Sequence, residues 1–191
     1  MEKYKNIIAS GLLGFGLIGL SCSQNYLEKS KDEIRQNLEK ITIAPDFEYT
    51  TLEGKTISLK DSENKLLILE WWSIDCEFCI EQIPENNRIY KRFGNRDDFL
   101  FLAVNGNYAS DVEDREEAKK AMIKHLKGYK EKKGILYPMA SDPLWESGIK
   151  DKFNISGRPV TVLIKNGKII EKFKGKPEDG VLEKTIEDLL D

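Results

Sequence analysis

The feature that most restricts the fold is a run of seven residues, Leu66-Leu67-Ile68-Leu69-Glu70-Trp71-Trp72, apolar at every position but one. A short unbroken apolar stretch predicts a strand buried on both faces, of the kind found in the middle of a sheet covered by helices. A second such run, residues 99–104, stands between Asp97-Asp98 and Asn105-Gly106-Asn107. The segment between them, residues 78–93, is apolar at Phe78, Ile80, Ile83, Ile89, Tyr90 and Phe93 and stops at Gly94. That pattern predicts a helix closed by glycine and kinked at Pro84. Two buried strands joined through a helix imply a parallel β-α-β unit.

Ahead of that unit, residues 47–51 and 56–59 flank Glu53-Gly54 and predict a hairpin. Beyond it, Ser110-x-x-Glu113 has the form of a capping box. Ala118, Ala121, Met122, His125, Leu126 and Tyr129 then recur at helical spacing up to Gly134. A short strand over residues 135–139 and a helical segment around residues 144–153 come next. Strands over 159–164 and 168–173 are joined by Asn166-Gly167, the strongest hairpin signal in the chain, and a final helix spans 180–190. The order predicts an α/β fold: a mixed central sheet with helices on both faces and an antiparallel edge hairpin.

The N-terminus has a different character. Lys3 and Lys5 precede a charge-free stretch of 14 residues, 7–20, that ends at Gly19-Leu20-Ser21-Cys22. This is the layout of a secretory signal, and it is short of the roughly 20 apolar residues a membrane span needs. Gly11, Gly14, Gly16 and Gly19 weaken a helix there further. Cys22 after a small residue resembles a bacterial lipobox, although Gly19 stands where a larger aliphatic residue is usual. The division expected is a lipoprotein-type signal peptide over 1–21, a polar tether over 22–40 and a folded domain over 41–191. Cys22 would carry the lipid, leaving the domain exported and anchored to a membrane of the cell envelope. An uncleaved anchor, or a free cysteine in a discarded leader, are the alternatives. Over the whole chain the 30 basic and 33 acidic residues are interspersed, so nothing suggests a nucleic-acid partner.

Cys76-Glu77-Phe78-Cys79 falls where the first buried strand gives way to the helix. Cys76 should therefore stand at the helix N-terminus, where unpaired amides favour a thiolate, with Cys79 one turn inside and able to resolve a mixed disulfide. The same spacing forms half of a zinc site, but zinc needs two further ligands, and residues 41–191 offer only His125. No metal or cofactor is implied. Trp71, Trp72 and Trp145 are simplest as core or rim aromatics, His125 as structural, and the seven lysines of residues 119–133 as a solvated helix face.

Taken with Ala44-Pro45-Asp46-Phe47, Glu53-Gly54, Trp72 four residues before Cys76, and Gly157-Arg158-Pro159-Val160-Thr161, this pair resembles the thioredoxin superfamily, specifically its exported TlpA/ResA-like group. The resemblance implies a thioredoxin-like three-layer sandwich with an N-terminal β-hairpin extension. It also implies a cis Pro159 facing the sulfurs, an Arg158 backbone open to an extended substrate, and Trp72 as a wall of the site. Glu70 matches the buried acid of thioredoxins, a candidate acceptor for the Cys79 proton; pairing with Lys65 or Lys172 is the alternative. Glu77 matches a C-E-P-C motif, but Phe78 replaces its proline, Gln82 stands in place of an acid, and Asp75 in place of a tryptophan. Asp75, Glu77 and Gln82 are thus the candidate redox-tuning residues, and the negative charge around Cys76 opposes the helix-terminus effect. The function implied is reduction of disulfides in exported proteins, apocytochrome c among the possibilities, with electrons from a membrane thiol donor. A peroxiredoxin-like peroxidase is a rival, although Trp72-Ser73-Ile74-Asp75-Cys76 lacks the proline of Pro-x-x-x-Thr-x-x-Cys. A non-catalytic surface binding lipoprotein with an inert disulfide is another.

Overall fold

A computed structural model describes residues 42–107 and 113–191. The expected signal peptide, the tether, Cys22 and Ser110 lie outside the described residues. In chain order the strands are β1 (Thr42–Ile43), β2 (Glu48–Thr50), β3 (Thr56–Ser58), β4 (Leu66–Trp72), β5 (Phe99–Asn105), β6 (Met139–Ser141), β7 (Val160–Lys165) and β8 (Lys168–Lys174). The helices are α1 (Glu77–Phe93), α2 (Arg115–Lys133), α3 (Ile149–Lys152) and α4 (Val181–Leu190).

Six strands form the central sheet in the order β1-β8-β7-β4-β5-β6, and β2 and β3 form a separate hairpin. β4 lies at the centre, parallel to β5 and antiparallel to β7. Every residue of β4 is buried, and its side chains alternate between two core layers, as the period of a strand requires. Leu66, Ile68 and Trp72 pack with Ile83 and Ile89 of α1, Met122 and Leu126 of α2, and Leu182 and Ile186 of α4. Leu67, Leu69 and Trp71 pack with Tyr49 and Ile57 of the hairpin and with Ile149 of α3. Each such aliphatic side chain contributes about 1.5–3 kcal/mol of hydrophobic stabilisation, so β4 anchors both layers.

Several local expectations are corrected. The strand after α2 is Met139–Ser141, not residues 135–139. Ile135 and Tyr137 are buried as loop residues, and Pro138, which has no amide to donate, accepts from the Ala103 amide through its carbonyl at 3.0 Å. The helix expected around residues 144–153 is broken: Pro143–Trp145 form a 3-10 turn, Gly148 is left-handed, and only Ile149–Lys152 is α-helical. α2 is capped by Asp114, whose carboxylate accepts the Glu117 amide at 2.8 Å, rather than by a box begun at Ser110. β1, which no sequence pattern announced, pairs antiparallel with the start of β8.

Candidate functional site

β4 delivers the chain to the carboxyl edge of the sheet at Trp72, and the turn through Ser73-Ile74-Asp75 leads into α1. Cys76 is the N-cap of that helix: its Sγ accepts the Cys79 amide at 3.2 Å. The two cysteines form a disulfide with their Cα atoms 5.2 Å apart. Cys76 is half-buried, whereas Cys79 is only 2% exposed and packs in the same layer as Trp72. A reactive partner can therefore reach one sulfur and not the other. Placing Cys76 at a helix N-terminus supplies amides and the positive dipole end to a thiolate when the bond is reduced.

The charged neighbours act against that effect. Asp75 is held below the ordinary carboxylate range, first by the Ser73 hydroxyl and also by the Asn107 amide, which donates at 3.2 Å. It is thus a fixed negative charge beside Cys76. Arg158 lies 3.9 Å from the Asp75 carboxylate and is exposed, so its charge is directed at Asp75. Glu77 is exposed in the first turn of α1. Asn107 also accepts the Ile74 amide at 2.9 Å and so ties the loop after β5 to the cysteine loop.

Two residues before Trp72, within β4, lies a buried polar group. Glu70, wholly enclosed in β4, accepts a hydrogen bond from the Asn86 amide at 2.7 Å. Burial pushes its carboxyl up to about 8, partly countered by that bond. Lys172, a partner considered for it, donates instead to the Phe153 carbonyl at 2.8 Å. Thr161 of β7 is the cross-strand neighbour of Glu70, and its hydroxyl accepts from the Gln82 amide at 3.2 Å. Gln82, fully buried, thus occupies the turn of α1 between Cys79 and Asn86. Sequence reasoning gave no role to Asn86 or to the Thr161 hydroxyl, although Asn86 lies seven residues after Cys79, on the same face of the helix.

Arg158–Pro159 is a cis peptide. Because β7 runs antiparallel to β4 with Val160 opposite Trp71, Pro159 lies beside the carboxyl end of β4, where the disulfide loop begins. The sequence-derived residues thus converge on one edge of the sheet. Cys76, Cys79, Trp72, Asp75, Glu77, Arg158 and Pro159 lie around it, with Glu70 and Gln82 just beneath. His125 is exposed on α2. Among the described residues, no group of three or more His, Cys, Asp or Glu could hold a metal ion, and no helix is long and apolar enough to cross a membrane.

A C-x-x-C cystine at a strand-to-helix junction in a mixed three-layer sheet defines a thioredoxin-fold thiol-disulfide oxidoreductase. Residues 42–173 match the model of the AhpC/TSA family, and the chain belongs to that family. It is 28% identical over 181 residues to the thiol-disulfide oxidoreductase ResA of Bacillus cereus, covering 94% of this chain and 90% of that one. Its fold matches a thiol:disulfide interchange protein of the thioredoxin family from Chlorobium tepidum with a TM-score of 0.62 at 22% identity, over 79% of this chain and 97% of that one. It also matches the exposed lipoprotein thioredoxin of Streptococcus pneumoniae with a TM-score of 0.56 at 26% identity, over 75% and 99%. The chain is accordingly TlpA/ResA-like within the thioredoxin superfamily.

Proposed function

We propose that this protein reduces disulfides of exported proteins from a membrane-tethered position. The observation that carries the reading is the unequal exposure of the two sulfurs, one half-buried at the helix cap and one enclosed. In the reduced protein the Cys76 thiolate attacks a client disulfide, forming a Cys76–client bond and expelling one client thiolate, which takes a proton from water. Glu70 then accepts the Cys79 proton, and the Cys79 thiolate attacks the Cys76 sulfur. The Cys76–Cys79 bond forms, the second client sulfur leaves as a thiolate that takes a proton from water, and two electrons have passed to the client. Burial raises the Glu70 carboxyl to about 8, so its carboxylate is a stronger base than that of an ordinary glutamate and is suited to taking a thiol proton. A thiol donor at the membrane returns the dithiol by the same exchange in reverse.

Pro159 and the Arg158 backbone receive the client beside β4, Trp72 walls the site, and Asp75, Glu77 and the neutral Gln82 set the potential. Residues 1–21 direct export, 22–40 form the tether and Cys22 carries the lipid. The exposed lipoprotein thioredoxin of Streptococcus pneumoniae among the structural neighbours supports this reading of the N-terminus. Apocytochrome c is one client class compatible with this role. The dithiol reading is favoured over a peroxidase by the pairing of Cys76 with a resolving cysteine three residues away.

Cys79→Ser should accumulate mixed disulfides through Cys76, identifiable by mass spectrometry after trapping in cell-envelope extracts. Trapping by Cys76→Ser and not by Cys79→Ser would reverse the roles assigned to the sulfurs. Loss of membrane association in Cys22→Ser checks the anchor.

A further inference from the structure

β4, β5 and β6 run parallel and end together, with Trp72 paired to Asn105 and Asn105 to Ser141. The segments that leave their carboxyl ends therefore share one edge of the sheet: the disulfide loop after β4, Gly106-Asn107 after β5, and Asp142 to Trp145 after β6. Within the last segment Leu144 and Trp145 have φ of 54° and 62°, a region that side chains other than glycine and asparagine rarely occupy.

The segment is braced into this conformation. The Leu144 amide donates to the Gly106 carbonyl at 3.1 Å and the Trp145 amide to the Asp142 carbonyl at 2.9 Å. The Asp142 carboxylate accepts the Tyr49 hydroxyl at 3.1 Å, the Ser147 hydroxyl at 2.6 Å and the Ser147 amide at 3.1 Å. Trp145 lies so close over Gly106 that a Cβ there would run into its ring. Leu144, by contrast, is left 61% exposed, and Phe78, between the two cysteines, is 60% exposed. A connection that only joined β6 to α3 would be better served by Gly or Asn at position 144 and would not hold a leucine in water.

We propose that Leu144 and Phe78 form an apolar lip that selects client segments bearing a large apolar residue about three positions from the attacked half-cystine. The proposal rests on the reading of protein clients given above. The occupant is the client's own cystine-bearing segment, because Phe78 stands between the two cysteines and Leu144 is bonded to Gly106, whose amide in turn donates to the Trp72 carbonyl at 3.3 Å, where the disulfide loop begins. β6 lies two strand spacings from β4, about 10 Å, and three extended residues span about the same distance. The contact falls on the side of the sulfur away from Pro159, since β7 and β6 flank β4 on opposite sides.

Two synthetic cystine peptides test this, one with Leu and one with Ser three positions from the half-cystine, each reduced by the dithiol form of the protein. The wild type should prefer the leucine peptide about tenfold in kcat/KM, a discrimination typical of one apolar side chain. Leu144→Asn and Leu144→Gly, both suited to the local φ, should bring the ratio close to one without lowering the melting temperature. A ratio near one in the wild type, or an undiminished ratio in both variants, would overturn the lip. Reduction of the serine peptide by the wild type stands apart from that ratio and carries the underlying reading; with neither peptide reduced, both fall.

Discussion

Glu70→Gln should remove a large pH dependence of stability and slow resolution of the mixed disulfide. Burial raises the Glu70 carboxyl from 4.5 to about 8, with the Asn86 amide pulling the other way. Between those values the folded protein keeps a proton that the unfolded chain has released, so stability falls as pH rises. The contribution of the neutral carboxyl is whole below about pH 4.5 and is lost progressively up to about pH 8. At about 1.4 kcal/mol per pH unit, going from about pH 5 to about pH 8.5 should weaken the wild type by about 4 kcal/mol through this group alone. Glutamine has the same shape, stays neutral, and can accept the Asn86 bond through its carbonyl oxygen. Denaturant unfolding of the oxidised protein reads the difference, in which other titrating groups cancel. The variant should lie within about 1 kcal/mol of wild type near pH 5 and exceed it by about 4–5 kcal/mol near pH 8.5. Stopped-flow resolution of a Cys76 mixed disulfide should slow by about 10²–10⁴, the usual worth of a positioned base. Parallel stability curves for the two proteins would refute a buried carboxyl that must ionise without a cationic partner.

Asn86→Leu removes the one side-chain bond that lowers the Glu70 carboxyl. The pH midpoint of the resolving step should therefore move upward, and an unchanged midpoint in a pH–rate profile would separate Asn86 from the carboxyl. Gly106→Ala should destabilise by about 1–3 kcal/mol, because its methyl group would force the Trp145 ring from its place; chemical denaturation with a midpoint equal to wild type would count against that packing.

The central β-α-β unit and the Asn166-Gly167 hairpin were legible because continuous burial and a left-handed two-residue turn leave direct marks in sequence. The position of the C-x-x-C pair followed from them. Other parts were not legible, for identifiable reasons. β1 contributes two residues to the sheet, too few for any alternation. Leu144 is an ordinary helix former, and its left-handed φ is imposed by hydrogen bonds to residues distant in the chain. Gln82, Glu85 and Asn86 look like a solvated helix face, yet all three are buried. Gln82 and Asn86 have partners on strands of the sheet, and Glu85 accepts the Gly180 amide ahead of α4 at 3.0 Å. Such partners depend on tertiary closure, which periodicity does not encode.

The outer margins of the sheet bear on how such a protein avoids its own chemistry's hazards. On one side a two-residue β1 pairs only with Lys168 and Ile169, and the remainder of β8 carries Glu171, Lys172 and Lys174 along its free backbone. On the other, β6 has three residues, follows Pro138 and is covered on its outer side by the chain after β2, the Leu52 amide donating to the Met139 carbonyl at 2.7 Å. Brief, charged or proline-guarded margins resist strand-to-strand sticking. A thiol-disulfide oxidoreductase, whose substrates are disulfides of other proteins, is thereby guarded against adding their strands to its own sheet.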